Sequence, residues 1–180
     1  MEPRKRQPLN IDERYESKKI HTFRNLLSRK ECNDAIAKYE KDIDKHQCVQ
    51  VNGATINRYI PFVKPIYDKI KPRLEKESNT KYFYDGGGIR KYFEKTHLVD
   101  HYDYVYSGMY LSIVLGQQPD DDKIEDIHVY VDDVKYIYKL NIGDGLIFPG
   151  SQLYHGRPPI FHTTFHMMIL IMSTEEKNII

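Results

Sequence analysis

The second half of the chain consists of short apolar segments separated by turn residues, and this pattern restricts the fold more than any other feature. From residue 81 onward, segments rich in Tyr, Val, Ile and Phe alternate with Gly, Asp, Asn and Pro. Such segments are typical of β-strands, and regular turns between them predict a sandwich or a barrel. Fifteen tyrosines and no tryptophan also favour strands. The predicted strands are residues 20–27, 47–51, 81–84, 89–93, 104–115, 127–131, 134–140, 143–148, 153–155 and 165–172.

Two of the predicted turns lie within this region. Asp132 and Asp133 separate two alternating segments, which predicts a β-hairpin. Residues 86–88 are three glycines that no lysine-serine pair or helix follows, so they do not fit a phosphate-binding loop. We interpret these glycines as a flexible turn between two strands.

Two helical segments precede most of the strands. Residues 28–31, Ser-Arg-Lys-Glu, form a capping box, and apolar residues follow at helical spacing to about residue 45. A second apolar face extends over residues 60–77. Pro65 and Pro72 fall inside this segment and predict a kink or two shorter helices.

Size and composition indicate a single ordinary globular domain. The 180 residues suffice for one domain, predicted over residues 18–180, after a polar, proline-containing flexible arm at residues 1–17. A net charge of +1 argues against nucleic-acid and membrane-surface partners. Two cysteines are too few for a disulfide framework, no apolar leader follows Met1, and no segment is long enough to span a membrane. We therefore expect a cytoplasmic protein.

The candidate functional residues are His101 and Asp103, with His155 further along the chain. Side chains at positions i and i+2 of a strand point to the same face of the sheet. Together with a histidine from another strand, they would form the two-histidine, one-carboxylate set that suits non-haem Fe(II). A His-x-Asp triplet alone is equally compatible with surface polarity. Asp126 and His128 form a competing pair, which we interpret as solvated hairpin residues.

The order of several local motifs resembles that of the 2-oxoglutarate and Fe(II)-dependent dioxygenases, in particular their prolyl 4-hydroxylase-like branch. The resemblance covers roughly residues 20–173 and is carried by motif order and spacing rather than by one motif. The matching motifs are Leu26-Leu27-Ser28 before Glu31-Cys32, Lys91-Tyr92, His101-Tyr102-Asp103, Gly143-Asp144-Gly145-Leu146-Ile147-Phe148, His155 and Pro158-Pro159-Ile160.

This resemblance implies an α+β, mainly β fold: a double-stranded β-helix, or jelly roll, with two or three N-terminal helices packed on one sheet. It also implies that His101, Asp103 and His155 bind Fe(II) and carry the catalysis. The implied reaction uses 2-oxoglutarate and molecular oxygen to hydroxylate an unactivated carbon of a prolyl or lysyl residue in a protein or peptide. Ascorbate is a further candidate cofactor.

The sequence departs from this family at the residue that would grip the far carboxylate of 2-oxoglutarate. The family usually has Arg or Lys about ten residues after the second histidine, where this chain has Phe165 and His166. His166 would grip a carboxylate weakly, because it is mostly neutral near pH 7 and lacks the fork of arginine. Arg157 or Lys139 are the alternative cations.

Two tyrosines complete the predicted site. Tyr92 and Tyr110 are expected to offer hydroxyl groups to the bound acid. If no residue grips the acid, the alternatives are a jelly-roll protein that binds a peptide or partner without turnover and a cupin-like enzyme that uses the metal alone.

Overall fold

The computed structural model describes residues 20–42, 48–51, 54–57, 62–103, 108–121 and 123–174, with the backbone only for 48–51 and 54–57. The predicted N-terminal arm and residues 104–107 of a predicted strand lie outside these ranges. The elements are β1 (His21–Phe23), α1 (Arg29–Asp42), β2 (Cys48–Val51), β3 (Ala54–Asn57), α2 (Val63–Ser78), β4 (Phe83–Phe93), β5 (Leu98–His101), β6 (Met109–Gln118), β7 (Asp126–Val131), β8 (Val134–Lys139), β9 (Gly145–Pro149), β10 (His155–Arg157) and β11 (Thr164–Ser173).

The strands form two antiparallel sheets that pack face to face. The larger sheet has the order β1-β9-β6-β11-β4-β3-β2, and the smaller has the order β5-β10-β7-β8. One apolar core lies between the sheets, and a second lies between the larger sheet and the two helices. Strand β11 serves both cores because its side chains alternate: Phe165 and Met167 face the smaller sheet, whereas Met168 and Leu170 face the helices. This mainly β arrangement is consistent with a jelly roll.

The first helix begins at the predicted capping box. The backbone N–H of Ser28 donates to Glu31 Oε2 at 2.9 Å, and the backbone N–H of Glu31 donates to Ser28 Oγ at 3.3 Å. The buried face of α1 includes Cys32, Ala35 and Tyr39, which pack on the larger sheet. Local sequence therefore determines where this helix begins and which side of it is buried.

Helix α2 is one continuous helix with Pro72 inside it, so the expectation of two shorter helices is wrong, and the alternative of a kink stays a prediction. The three glycines are not a turn, because they lie within the single long strand β4. A Cβ atom on Gly87 would come within 2.9 Å of Val63 in α2 and of Ile169 and Leu170 in β11. Glycine is therefore needed there for close packing of helix on sheet.

The predicted hairpin is confirmed in the smaller sheet. Strands β7 and β8 pair in register from Asp126↔Lys139 to Val131↔Val134. Asp132 and Asp133, which connect them, both have positive φ, at 48° and 65°. Two-residue loops of this kind match the twist of the flanking strands.

A buried carboxylate connects the start of the chain's described part to the β8–β9 turn. Asp144 is 1% exposed. Its Oδ1 accepts a hydrogen bond from the backbone N–H of Asn25 at 2.8 Å. Its Oδ2 accepts from the backbone N–H of Asn141 at 3.0 Å and from Arg24 Nη1 at 2.6 Å. The Gly-Asp motif seen in the sequence thus has a structural role.

We expect Asp144→Ala to lower the free energy of unfolding by about 3 kcal/mol, because it leaves two backbone N–H groups without their acceptor. Urea denaturation measures this loss. Asp120→Ala is the matched control, since the Asp120–Arg29 pair is more than half exposed and should contribute less than about 1 kcal/mol. Equal losses in the two variants would contradict this role for Asp144.

Candidate metal centre

The smaller sheet brings together the three residues that the sequence predicted as metal ligands. His101 ends β5, His155 begins β10, and the two residues are direct partners in the antiparallel pairing of these strands. Asp103 follows two residues after His101. Its Oδ1 lies 3.5 Å from His101 Nε2, and its Oδ2 lies 3.3 Å from His155 Nε2. One ligand atom from each residue lies within 4.8 Å of the others, so the three groups could hold one metal ion.

Each of the two imidazole rings is held by a hydrogen bond to the backbone carbonyl oxygen two residues earlier in the chain. His101 Nδ1 donates to the carbonyl oxygen of Val99 at 2.7 Å, and His155 Nδ1 donates to that of Leu153 at 2.9 Å. Since a carbonyl only accepts, each Nδ1 carries the proton, which leaves each Nε2 lone pair facing Asp103. Such a bond orients a metal-binding histidine and selects its tautomer.

The position of Asp103 is set by its neighbours. Its backbone N–H donates to the carbonyl oxygen of Gly150 at 3.0 Å, and a Cβ atom on Gly150 would lie 2.2 Å from Asp103 Oδ2. Burial alone would raise the pKa of Asp103, but the neighbouring imidazoles of His101 and His155 hold this pKa well below its usual range. The same contact with Asp103 raises the pKa of His101. The carboxylate is therefore ionised at neutral pH, as a ligand must be.

A cavity between the two sheets adjoins this cluster. Its polar lining includes Asp103 and His155, and apolar side chains from β7, β9 and β11 form much of the remaining wall. Tyr92 and Tyr110 also line this cavity, as the sequence analysis placed them. Among the described lining residues there are two arginines and one carboxylate, so the cavity is electropositive.

Arg157 is the more buried of the two cavity arginines, at 4% exposure. Its guanidinium carbon lies 5.4 Å from the centre of the Tyr92 ring and 4.6 Å from that of Phe165. Its Nη2 contacts Met167 Sδ at 3.4 Å, and its buried Nη1 has no hydrogen-bond partner among the described residues. Burial lowers the pKa of Arg157 from its usual value. A buried guanidinium with an unsatisfied donor is costly, and a bound anion would relieve that cost.

Arg90 is a cavity residue that the sequence analysis missed. It lies on β4 two residues before Tyr92, so both side chains point to the face that lines the cavity. Burial alone would lower the pKa of Arg90, but the neighbouring Tyr92 and, to a smaller extent, Asp103 raise it. Strand alternation was the available signal, since a prediction that Tyr92 faces the site implies the same for Arg90.

The structure does not bring His166 to the cavity. His166 lies on the helix side of β11, where its Nε2 is 3.1 Å from Glu40 Oε1 and its ring packs edge-on against Tyr39. Because side chains alternate along the strand, Phe165 and Met167 point to the cavity side instead. The acid-gripping role predicted for His166 does not fit this position. Lys139, the other alternative cation, is exposed at the end of β8.

The competing pair of the sequence analysis is not a solvated one. His128 is 5% exposed and binds the carboxylate of Asp100 through its Nε2. Its partner Asp126 lies on the same face of β7, two residues earlier. Neither residue belongs to the metal-ligand cluster found among the described residues. The interpretation of His128 as a surface residue is therefore wrong.

Comparison with known proteins finds likeness at the level of structure alone. No family and no curated protein matches the sequence. Among solved structures, the viral collagen prolyl hydroxylase vCPH from Paramecium bursaria Chlorella virus-1, in its 2OG complex, is similar with a TM-score of 0.65 and 15% identity, covering 93% of this chain and 99% of that one. A prolyl-4-hydroxylase from Pseudomonas putida gives a TM-score of 0.68 at 8% identity, covering 90% and 96% of the two chains.

A third similar structure was solved with a peptide. It is a prolyl hydroxylase from Trichoplax adhaerens in complex with a hypoxia inducible factor oxygen degradation domain fragment, with a TM-score of 0.66 and 12% identity, covering 89% of this chain and 86% of that one. The fold is thus that of the 2OG-Fe(II) oxygenases, including prolyl hydroxylases. The resemblance seen in the sequence is confirmed at this level. No helix in the described part of the chain is both long enough and apolar enough to cross a membrane.

Proposed function

We propose that this protein is an Fe(II)- and 2-oxoglutarate-dependent dioxygenase that hydroxylates an unactivated carbon. The observation that carries the proposal is the convergence of one potential ligand atom each from His101, Asp103 and His155 within 4.8 Å. Two imidazoles and one carboxylate on one side of a metal leave its other positions open, which is the donor set of non-haem Fe(II) oxygenases. Molecular oxygen would be the oxidant in this reaction: bound iron would activate it, and 2-oxoglutarate would supply two of the four electrons that reduce it, the other two coming from the C–H bond.

The protein's own residues prepare the centre. Val99 and Leu153 fix the ligand tautomers through their carbonyl oxygens, so the lone pairs face the metal position without rearrangement. Asp103 supplies one negative charge, which partly neutralises a divalent cation. Phe148 and Ile127 contribute apolar side chains to the cavity wall, which would limit the access of water to the reacting atoms.

The charge of the cavity lining also suits an anionic cosubstrate. We propose that Arg157 takes the place of the Arg or Lys that the family usually carries ten residues after the second histidine. The unsatisfied Nη1 of Arg157 supports this assignment, since a carboxylate would accept a charge-assisted hydrogen bond from it. Arg90, Tyr92 and Tyr110 line the same cavity and can donate to the remaining acid oxygens.

Prolyl or lysyl residues of a protein or peptide are the substrate class we propose. The support for this choice is the fold that the chain shares with prolyl hydroxylases, one of which was solved with a peptide. Electrostatics agrees, since a net charge of +1 provides no basic footprint for nucleic acid.

The direct test is iron-dependent conversion of 2-oxoglutarate to succinate by the purified protein, with and without proline- or lysine-containing peptides. We expect Fe(II)-dependent succinate formation that a productive peptide stimulates, with hydroxylation appearing as a 16 Da mass increase on that peptide. His101→Ala is the control for metal-independent background. Tight iron binding without any succinate would instead favour a jelly-roll protein that binds partners without turnover.

A further inference from the structure

A second set of polar side chains lies on the face of the smaller sheet opposite to the ligands. Asp100 Oδ1 accepts a hydrogen bond from His128 Nε2 at 2.5 Å, and Asp100 Oδ2 accepts from the Tyr130 hydroxyl at 3.0 Å. His128 is almost completely buried, and its ring contacts that of Tyr130 edge-on. We call Asp100, His128 and Tyr130 the β5–β7 brace, since Asp100 lies on β5 and the other two lie on β7.

The brace passes over the strand that separates β5 from β7. That strand is β10, and the residue beneath the brace is Gly156. A Cβ atom on Gly156 would lie 2.2 Å from Asp100 Oδ1 and 2.9 Å from the carbonyl oxygen of Leu98. Only glycine therefore allows this contact. The neighbours of Gly156, His155 and Arg157, point to the other face and line the cavity.

Strand β5 is weakly attached apart from the brace. It is an edge strand, and its pairing with β10 has two matched positions, Leu98↔Arg157 and His101↔His155, with a register shift between them. Yet β5 ends in the ligand His101, and Asp103 follows two residues later. The position of His101 thus depends on a strand with few backbone contacts, whereas Asp103 is also held by its backbone hydrogen bond to Gly150. Asp100 is the residue next to His101.

We propose that the β5–β7 brace is a positioning device for the metal centre, holding β5 so that His101 and Asp103 keep their geometry opposite His155. This inference rests on the metal site proposed above. Small displacements of ligands weaken a metal site, and outer contacts that orient ligands typically change metal affinity about 10- to 100-fold when removed. The brace acts through backbone position, since its side chains point away from the metal.

The test compares Asp100→Ala and Tyr130→Phe with a control that removes a similar contact elsewhere. His162→Gln is that control: His162 is 1% exposed and its Nδ1 is 2.6 Å from Glu125 Oε1, but it is not on β5 and does not line the cavity. Tyr130→Phe keeps the aromatic ring and removes the hydrogen bond to Asp100, so it should disturb the fold less than Asp100→Ala does. Co(II) affinity is measured well below the melting temperature of each variant, and hydrogen exchange of residues 98–103 is measured without metal.

We expect Asp100→Ala to weaken Co(II) binding about 10- to 100-fold, and Tyr130→Phe to weaken it less. Both should accelerate amide exchange in residues 98–103. His162→Gln should lower the melting temperature with unchanged Co(II) affinity. Unchanged Co(II) affinity in both brace variants would overturn the inference, since a purely stabilising contact alters melting but not binding. A wild type that binds no Co(II) would overturn the proposed function, and exchange alone would then decide whether the brace holds β5.

Discussion

Asp103→Ala should weaken Fe(II) binding by more than about 100-fold. Removing a ligand costs more metal affinity than removing a group that only orients a ligand. The substitution removes the sole carboxylate among the described lining residues and leaves two imidazoles without the charge that offsets a divalent cation. His101→Ala should behave similarly. Metal content after anaerobic loading and a Co(II) titration both measure this loss.

The matched control for these ligand variants is His97→Ala. His97 is exposed and lies four residues before His101, outside the cluster. Its replacement should leave Co(II) affinity as in the wild type. If Asp103→Ala and His101→Ala both retained tightly bound iron, the metal would have to lie elsewhere.

Arg157→Met should weaken 2-oxoglutarate binding to the metal-loaded protein about 10- to 100-fold, as a charge-assisted hydrogen bond contributes about 1.5 to 3 kcal/mol. The same substitution should raise the stability of the metal-free protein by on the order of 1 kcal/mol, since it replaces a buried, incompletely satisfied charge with an apolar side chain. Methionine fits between Tyr92 and Phe165, where sulfur packs well against rings. If Arg157 binds the acid, Arg157→Met should raise the stability of the metal-free protein. If Arg157 serves packing instead, the same substitution should lower that stability.

Isothermal titration with 2-oxoglutarate and urea denaturation of the metal-free protein measure the two effects. Arg157→Lys is the control, because it keeps the charge but loses the planar fork and should give an intermediate affinity. Arg90→Met separates the contribution of the second cavity arginine. Unchanged 2-oxoglutarate affinity in Arg157→Met, combined with reduced stability, would assign Arg157 to packing and leave Arg90 as the candidate for acid binding.

Local sequence determined the parts of this protein that depend on neighbouring residues. The capping box at Ser28 and Glu31 predicts the start of α1, since its hydrogen bonds span three residues. The Asp132–Asp133 turn predicts the β7–β8 hairpin for the same reason. His101 and Asp103 could be paired from sequence because they lie two positions apart, although β5 ends at His101 and Asp103 follows the strand rather than belonging to it.

Tertiary packing decided the features that depend on distant residues. The glycines of β4 resemble a turn in sequence, but the approach of α2 makes Gly87 a packing position within a strand. Likewise, alternation along β11 shows that Phe165 and His166 point to opposite faces of the sheet. Only the placement of the helices shows that His166 faces Glu40.

The polar groups around the site also divide into those that the sequence indicates and those that depend on the tertiary structure. The sequence by itself indicated the three candidate ligands, because motif order and spacing are properties of the chain. Whether Arg157 remained unsatisfied, and whether His128 joined Asp100 across β10, depended on the pairing of β5, β10 and β7. The physical reason is that burial and hydrogen-bond satisfaction are set by neighbours in space, and the strands that supply those neighbours lie far apart in sequence.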